Sequence, residues 1–211
     1  MENRPKSLTL DNSTAASHPG GLRANRFLWF RHYPLWPCIW GGMLVMCIVL
    51  AFVIRWVFWV PAFVLLIVNW FYWRQIKERF LYGCVNPAVI VSEHPMLIAA
   101  YTDLSKGVGD YPAIKIFRKN LADTGGQSPR LGSRLAVIST YAGMPDGGPP
   151  YWIDFDPRPV NCVTTDLSEI ERIIASLESN EWTELEATLR QVPQPYRTGL
   201  FRVQDGAAVR M

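Results

Sequence analysis

The sequence predicts a membrane-anchored α+β protein: an N-terminal two-helix transmembrane hairpin, then a small antiparallel β-sheet or barrel domain with two C-terminal helices. Three observations predict this class. Between Tyr33 and Trp73 the only charged residue is Arg55. Short segments rich in Val, Ile, Thr and Tyr follow, separated by Pro and Gly clusters. Two amphipathic helical patterns come next, between residues 166 and 193.

The apolar region is too long for one membrane span. A single helix over its 41 residues would measure roughly 60 Å, whereas a bilayer core is about 30 Å thick. Splitting it at Arg55 leaves two uncharged stretches of about 18 residues, Pro37–Ile54 and Trp56–Trp73. Pro61 suits the first turn of a second helix, where its missing N–H is not needed. We therefore predict a hairpin, at 33–79, that bends within residues 55–60.

Aromatic residues mark both ends of the predicted spans. Arg55 in the loop would reach headgroups and water, and Trp56 and Trp59 beside it are typical of the membrane interface. A second belt flanks the outer ends of the spans, namely Trp29, Tyr33, Trp36, Trp70, Tyr72 and Trp73. The alternative is a buried helical pair in a soluble core, which requires a polar face that these segments lack.

Basic residues predict the orientation of the hairpin. Six flank its outer ends (Arg23, Arg26, Arg31, Arg74, Lys77 and Arg79), whereas the loop offers only Arg55. The positive-inside rule then places both termini in the cytoplasm. The first span begins too far from the N-terminus to resemble a cleaved signal peptide.

Three residues within the spans are candidates for contacts with other helices. Gly41 and Gly42 permit a close approach between backbones, and Asn69 is the one strongly polar residue. Because Asn69 lies within a turn of the interface, a hydrogen bond between helices is its expected role. The spans contain no acidic residue, lysine or histidine, which argues against a proton or ion path through the hairpin.

Outside the hairpin, the sequence predicts three segments. Residues 1–32 are expected to form a flexible basic tail and an interfacial segment, and residues 80–193 a cytoplasmic α+β domain. Residues 194–211 are expected to form a C-terminal tail, whose apolar patch at 200–203 could dock on a neighbour. The expected strands are 88–92, 96–104, 113–117, 134–142 and 160–165. Asp166 would cap the first helix and Asn180 the second, which Pro193 would end.

Composition excludes several classes of function. Residues 1–73 carry a net charge of +4 and residues 74–211 a net charge of −1, so the domain lacks the basic surface of a nucleic-acid reader. The four cysteines form neither a CxxC pair nor a cysteine–histidine cluster, which argues against a zinc site or a disulfide framework. We therefore expect no cofactor and no metal.

Chemistry-bearing motifs are short and isolated. Asp154 and Asp156 have the DxD spacing with which some nucleotide-sugar transferases hold a divalent cation, but a polar strand end before Pro157 explains them as well. The sequence KGVGD at 106–110 lacks the ending of a phosphate loop and is interpreted as a turn. His94 precedes Pro95 and is likewise interpreted as a turn residue.

A basic cluster is the strongest surface candidate. It consists of Lys115, Arg118, Lys119, Arg130 and Arg134, and Asp123 is the only acid between its ends. Such a cluster can contact phospholipid headgroups or an acidic partner surface, or it can be an ordinary solvated face. The sequence leaves these alternatives open.

Several segments together resemble an uncharacterised bacterial domain family of unknown function. They are CVNPAVIVSEHPMLIAAYTDLSKG, YPAIKI, RLGSRLAVISTY and DFDPRPVNCVTTD, and the resemblance covers about residues 83–193. It implies a bacterial origin and no established activity, and it assigns no catalytic residue.

The function predicted from these features is that of a non-catalytic accessory or structural subunit of a larger bacterial membrane protein complex. The hairpin would pack on transmembrane helices of other subunits, and the domain would cover the cytoplasmic face; respiratory and photosynthetic assemblies are the natural places to look. The first alternative is a membrane-anchored enzyme that acts on lipid or nucleotide-sugar substrates through a cation at Asp154 and Asp156. The second is a lipid-binding or sensing module.

Overall fold

Three helices occur in the described residues before the sheet: α1 (Arg26–His32), α2 (Leu35–Val53) and α3 (Trp59–Tyr82), with a 3₁₀ turn at Trp56–Phe58. The computed structural model describes residues 18–106, 110–121, 129–143, 149–204 and 207–210. The predicted hairpin is confirmed, since the chain reverses at residues 54–58 and Pro61 lies in the first turn of α3. Helix α3 continues past the apolar stretch to Tyr82, and Gly83 is its C-cap.

Two helices are long and apolar enough to cross a membrane, over Leu35–Val53 and Trp56–Tyr82. In the most apolar stretch of the first helix only 11% of the residues are buried, and in that of the second helix only 6%. The core helices of a soluble protein would be mostly buried. The alternative of a buried helical pair is therefore wrong.

Seven strands form one antiparallel sheet in the order β5-β4-β1-β2-β3-β6-β7. They are β1 (Cys84–Glu93), β2 (Met96–Asp103), β3 (Pro112–Arg118), β4 (Arg134–Ala142), β5 (Asp154–Pro159), β6 (Gly199–Gln204) and β7 (Ala207–Arg210). The sheet is strongly bent, as predicted: Lys115 on β3 donates to the Phe155 carbonyl on β5 at 2.6 Å, although three strands separate β3 from β5.

Each face of the sheet has its own core, because side chains alternate along the strands. On β2, Ala99 and Tyr101 face the helices, whereas Ile98 and Ala100 face the inside of the bend. Helices α4 (Leu167–Ala175) and α5 (Ser179–Leu189) cover the first face, together with α1 and the end of α3. The inner face has a core of aliphatic side chains, such as Ile98 and Leu104, together with Trp152 and Phe155.

Two strand predictions near the C-terminus need correction. Residues 160–165 are not a strand: 160–162 form a 3₁₀ turn, and the preceding DFDPRP is β5. Strand β5 accommodates Pro157 and Pro159 because it lies at the edge of the sheet, where not every N–H needs a partner. The segment 194–211, predicted as a tail, contributes β6 and β7, and its apolar patch packs on β3 of the same chain.

The helix caps agree in part with the sequence analysis. The Asp166 carboxylate accepts a hydrogen bond from the Ser168 N–H at 2.9 Å, so the predicted cap of α4 is confirmed. The predicted cap of α5 is wrong, since that helix begins at Ser179 and Glu178 caps it. The Glu181 carboxylate accepts from the Glu178 N–H at 2.8 Å, and the Glu178 side chain accepts from the Glu181 N–H, so this reciprocal arrangement satisfies two N–H groups.

Candidate functional site at the hairpin–domain junction

The segment before α1, residues 20–25, connects the N-terminal region to the domain through backbone hydrogen bonds. Leu22 is fully buried, and its N–H donates to the Phe80 carbonyl at 3.0 Å. The Asn25 side chain caps α1 by accepting from the Phe27 N–H at 2.9 Å, while the Asn25 N–H donates to the Val163 carbonyl at 2.9 Å. These bonds fix the start of α1 against the domain.

Helix α1 is amphipathic across the junction. Trp29 is only 4% exposed; its indole stacks on Tyr33 with ring centroids 4.2 Å apart and donates to the Tyr72 hydroxyl at 2.8 Å. Phe27 and Phe30, by contrast, are 74% and 40% exposed. One face of α1 therefore packs on the domain, and the other presents aromatic rings beside the first candidate span.

Tyr33 is the centre of the junction, between two cations. The Lys119 ammonium lies 3.5 Å from the centroid of its ring, and the Arg158 guanidinium 4.7 Å. Lys119 also donates to the His32 carbonyl at 2.7 Å. Burial, and the neighbouring Cys162 thiol, raise the pKa of the Tyr33 hydroxyl, so it stays protonated. An aromatic face that binds two partly desolvated cations contributes about 1–2 kcal/mol for each.

An ion-paired aspartate joins the end of α3 to β5. The Asp156 carboxylate accepts from Arg79 at 2.6 Å and from Arg158 at 2.9 Å. Burial disfavours its ionised form, but the two guanidinium groups outweigh burial and lower the pKa of Asp156. Arg158 therefore links Asp156 to Tyr33, and the junction is one continuous network.

A shallow cavity opens at the edge of this network. It has a volume of about 430 Å³ and is lined by Arg31, His32, Arg118, Lys119 and Asn120. Burial and the charges of Lys119 and Arg31 lower the pKa of His32, and burial lowers that of Lys119. The cavity is thus a cationic surface beside the start of α2.

The predicted contact residues of the hairpin lie on its outside. Trp56 is 77% and Trp59 44% exposed, and Arg55 is exposed between the two helices. A Cβ atom added to Gly41 or Gly42 would meet nothing within 4 Å, so these glycines do not bring α2 close to α3. Asn69 is half-buried on α3. The role of these residues in contacts with other molecules stays a prediction.

The predicted basic cluster is divided by the fold. Lys115 lies on the inner face and binds the Asp154 carboxylate at 2.8 Å. Arg134 pairs with Glu186 at 3.1 Å and stacks over Trp182. Arg118 and Lys119 remain together, and α1 adds Arg31 and His32 to them. Lys115 and Arg118 are three positions apart on β3 and therefore lie on opposite faces of the sheet, and Arg134 lies on β4.

The remaining motifs do not bring catalytic or metal-binding side chains together among the described residues. Asp154 and Asp156 bind different partners, so a shared cation would have to displace Lys115 and two arginines. No group of three or more metal-binding side chains occurs in the described ranges. His94 lies in the turn between β1 and β2, as predicted. Of the predicted turn at 106–110, residues 107–109 lie outside the described residues, as does Asp123.

Sequence reasoning missed the central role of Tyr33. The sequence does carry a signal, because Trp29 and Tyr33 are four residues apart and therefore on one helical face. The partners, Lys119 and Arg158, are 86 and 125 positions further along the chain, and only the fold brings them together.

Comparison with known proteins gives one solved structure with limited similarity and one family. A crystal structure described as a "putative membrane protein from Corynebacterium diphtheriae" is 21% identical and covers 56% of this chain and 99% of its own, with a TM-score of 0.48. No curated protein matches the sequence. Residues 73–193 match the family DUF3239, which is described as a protein of unknown function. The match covers more than half of the chain and confirms the resemblance seen in the sequence: the chain belongs to the DUF3239 family.

Proposed function

We propose that the protein is a non-catalytic accessory subunit of a larger bacterial membrane complex. The hairpin packs on transmembrane helices of other subunits, and the α+β domain covers the cytoplasmic face. The observation that carries the proposal is the exposure of the hairpin: α2, and α3 as far as Phe71, present large apolar side chains, while the domain has a core of its own.

Membrane insertion is the first element of this proposal. Exposed apolar helices of this length are costly in water and stable in lipid, where every backbone group is satisfied within the helix. The aromatic rings of Phe27, Phe30, Trp36 and Trp70 are exposed at the domain end, and those of Trp56 and Trp59 at the loop end. Two belts at opposite ends are typical of interface anchoring.

Association with partner helices is the second element. Gly42 is exposed, and neither Gly41 nor Gly42 has a neighbour within 4 Å of a Cβ position. Lipid provides no hydrophobic force that pairs helices, so small residues on an outward surface are typical of a contact with another backbone. The side chain of Asn69 makes no hydrogen bond to the described residues and could donate to the same partner.

Orientation is tested with reporters. A reporter fused after Met211 and one inserted beside Arg55 should report opposite sides of the membrane, with the C-terminal reporter in the cytoplasm. Both reporters on one side would contradict the hairpin topology. Extraction with carbonate, which leaves integral proteins in the membrane, checks insertion separately.

Subunit function is tested by purification of the natural complex in a mild detergent. We expect the chain in a stoichiometric assembly with other membrane proteins. A monomer with cation-dependent turnover that is lost in Asp154→Asn with Asp156→Asn, while the fold is retained, would contradict the proposal and support the enzymatic alternative.

A further inference from the structure

We infer that the cavity between the end of α1 and the end of β3 binds the headgroup phosphate of an anionic phospholipid. The inference rests on the membrane insertion that we propose above, but not on the presence of partner subunits. The site is formed by Arg31 and His32 from α1, and by Arg118, Lys119 and Asn120 after β3.

The first argument is the absence of counter-charges. The other cations of the junction are paired: Arg79 and Arg158 with Asp156. Within the described residues, Arg31, Arg118 and Lys119 form no ion pair; Lys119 donates to the His32 carbonyl and lies over the Tyr33 ring. No acidic side chain is among the described residues that line the cavity. The fold thus brings three cations without an ion pair to one cavity.

The second argument is the mutual repulsion of these groups. Burial, together with the charges of Lys119 and Arg31, lowers the pKa of His32, which shows that another positive charge is unfavourable there. An anion in the cavity would relieve this repulsion. A phosphate group offers several strong acceptor oxygens, and the planar fork of an arginine matches their geometry.

The third argument is depth. His32 is three residues before Leu35, where α2 begins, and three residues of chain span at most about 10 Å. Each headgroup layer of a bilayer is roughly 5–8 Å thick. The exposed rings of Phe27 and Phe30 on the same helix are suited to this layer. The cavity therefore lies at the level of lipid phosphates when α2 spans the membrane.

The test uses the full chain purified in a mild detergent, with lipid binding measured by native mass spectrometry. The probes are dioctanoylphosphatidylglycerol and dioctanoylphosphatidylcholine, which have the same chains but differ in net charge. We expect the chain to bind one phosphatidylglycerol molecule tightly and to bind phosphatidylcholine with clearly lower affinity. Because a basic side chain near an anionic lipid contributes about 1 kcal/mol, Arg31→Gln with Arg118→Gln should weaken phosphatidylglycerol binding about 30-fold.

This variant should fold, since neither side chain makes a hydrogen bond within the described residues. The control is Arg134→Gln with Arg190→Gln, which removes the same charge from two residues that do not line the cavity. Because Arg134 pairs with Glu186, circular dichroism first checks that the control variant is folded. The inference is overturned if the cavity variant keeps the parent affinity, or if the control loses as much. It is also overturned if inorganic phosphate at equal concentration displaces the lipid, because the site would then bind a free anion.

The outcome is separable from that of the proposed function. Lipid selectivity in detergent is measured on the isolated chain, so it can succeed even if no complex is found. Conversely, a complex that co-purifies while the cavity variant binds lipid normally would support the subunit proposal and refute the headgroup site.

Discussion

The hairpin and the domain of this protein bury their apolar side chains in different ways. In the domain, Phe155 is 1% and Ile138 0% exposed, between strands and helices of the same chain. In the hairpin, Phe63 is 63% and Phe52 75% exposed, and the buried residues are mainly the small Ala51 and Ala62, and Leu65. The domain completes its own core, whereas the hairpin leaves most of its large apolar side chains exposed.

The junction differs from both regions because it is held by polar and aromatic contacts. Trp29 bonds to Tyr72, Tyr33 lies between Lys119 and Arg158, and Arg158 pairs with Asp156. Amphipathic side chains of this kind suit a boundary at which one side is apolar and the other is wet. The chain thus combines three kinds of packing: a closed core, an exposed apolar hairpin and a polar and aromatic junction between them.

The largest expected effect contrasts two phenylalanines. Phe155→Ala removes a buried ring from the inner face and should lower the free energy of unfolding of the domain by about 3–5 kcal/mol. Phe63→Ala removes an exposed ring, so its effect on the same transition should stay within about 0.5 kcal/mol. Thermal unfolding in mild detergent, followed by near-ultraviolet circular dichroism, compares them. Equal losses would show that the hairpin belongs to the domain core.

A smaller effect is expected at the junction. Trp29→Phe keeps an aromatic ring but removes the indole N–H that Tyr72 accepts, which should cost about 1–2 kcal/mol. Limited proteolysis would then cut earlier between α1 and the domain than in the parent. Phe27→Leu, at an exposed position of the same helix, is the control and should leave the cleavage rate unchanged.

The ion pair at Asp156 predicts a pH dependence. Because 41% of that side chain is exposed, water screens the pair, and Asp156→Asn should cost about 1 kcal/mol at neutral pH. The pKa of Asp156 is lowered in the fold, so its contribution is complete above the ordinary value of 3.8 and is lost as pH falls through the folded pKa. When the free energy of unfolding is measured as a function of pH, the values for the parent and the variant should become equal only in acid. A constant difference would assign the loss to packing instead.

The smallest effect on the isolated chain is expected at the glycines. Gly41→Leu with Gly42→Leu adds bulk where nothing lies within 4 Å, so insertion and domain stability should not change. Association with partner helices should be lost, because the added side chains separate the backbones. Co-purification from membranes measures this, with Ile39→Leu and Met43→Leu in the same helix as the control. If the glycine variant co-purifies as well as the parent, these glycines face lipid.

The sequence by itself determined the hairpin, its bend near Arg55 and most of the strands. These features depend on local properties: the length of an uncharged stretch against the thickness of a bilayer, and the alternation of β-branched residues between turn signals. The strand at 134–142 was predicted with its observed bounds. The domain boundaries, the orientation and the contact residues of the hairpin stay predictions.

Only the tertiary structure decided which residues form the junction and the cationic cavity. Strand β5 was missed because prolines within a segment argue against a strand in the middle of a sheet. Prolines are compatible with an edge strand, and only the order of the strands shows that β5 lies at the edge. The basic cluster was divided because Lys115 and Arg118 point to different partners, although they are three residues apart. Ion pairs and cation–aromatic contacts form between residues that are distant in the chain, so local periodicity carries no information about them. The bending of the sheet and the docking of α1 place these residues within reach of one another.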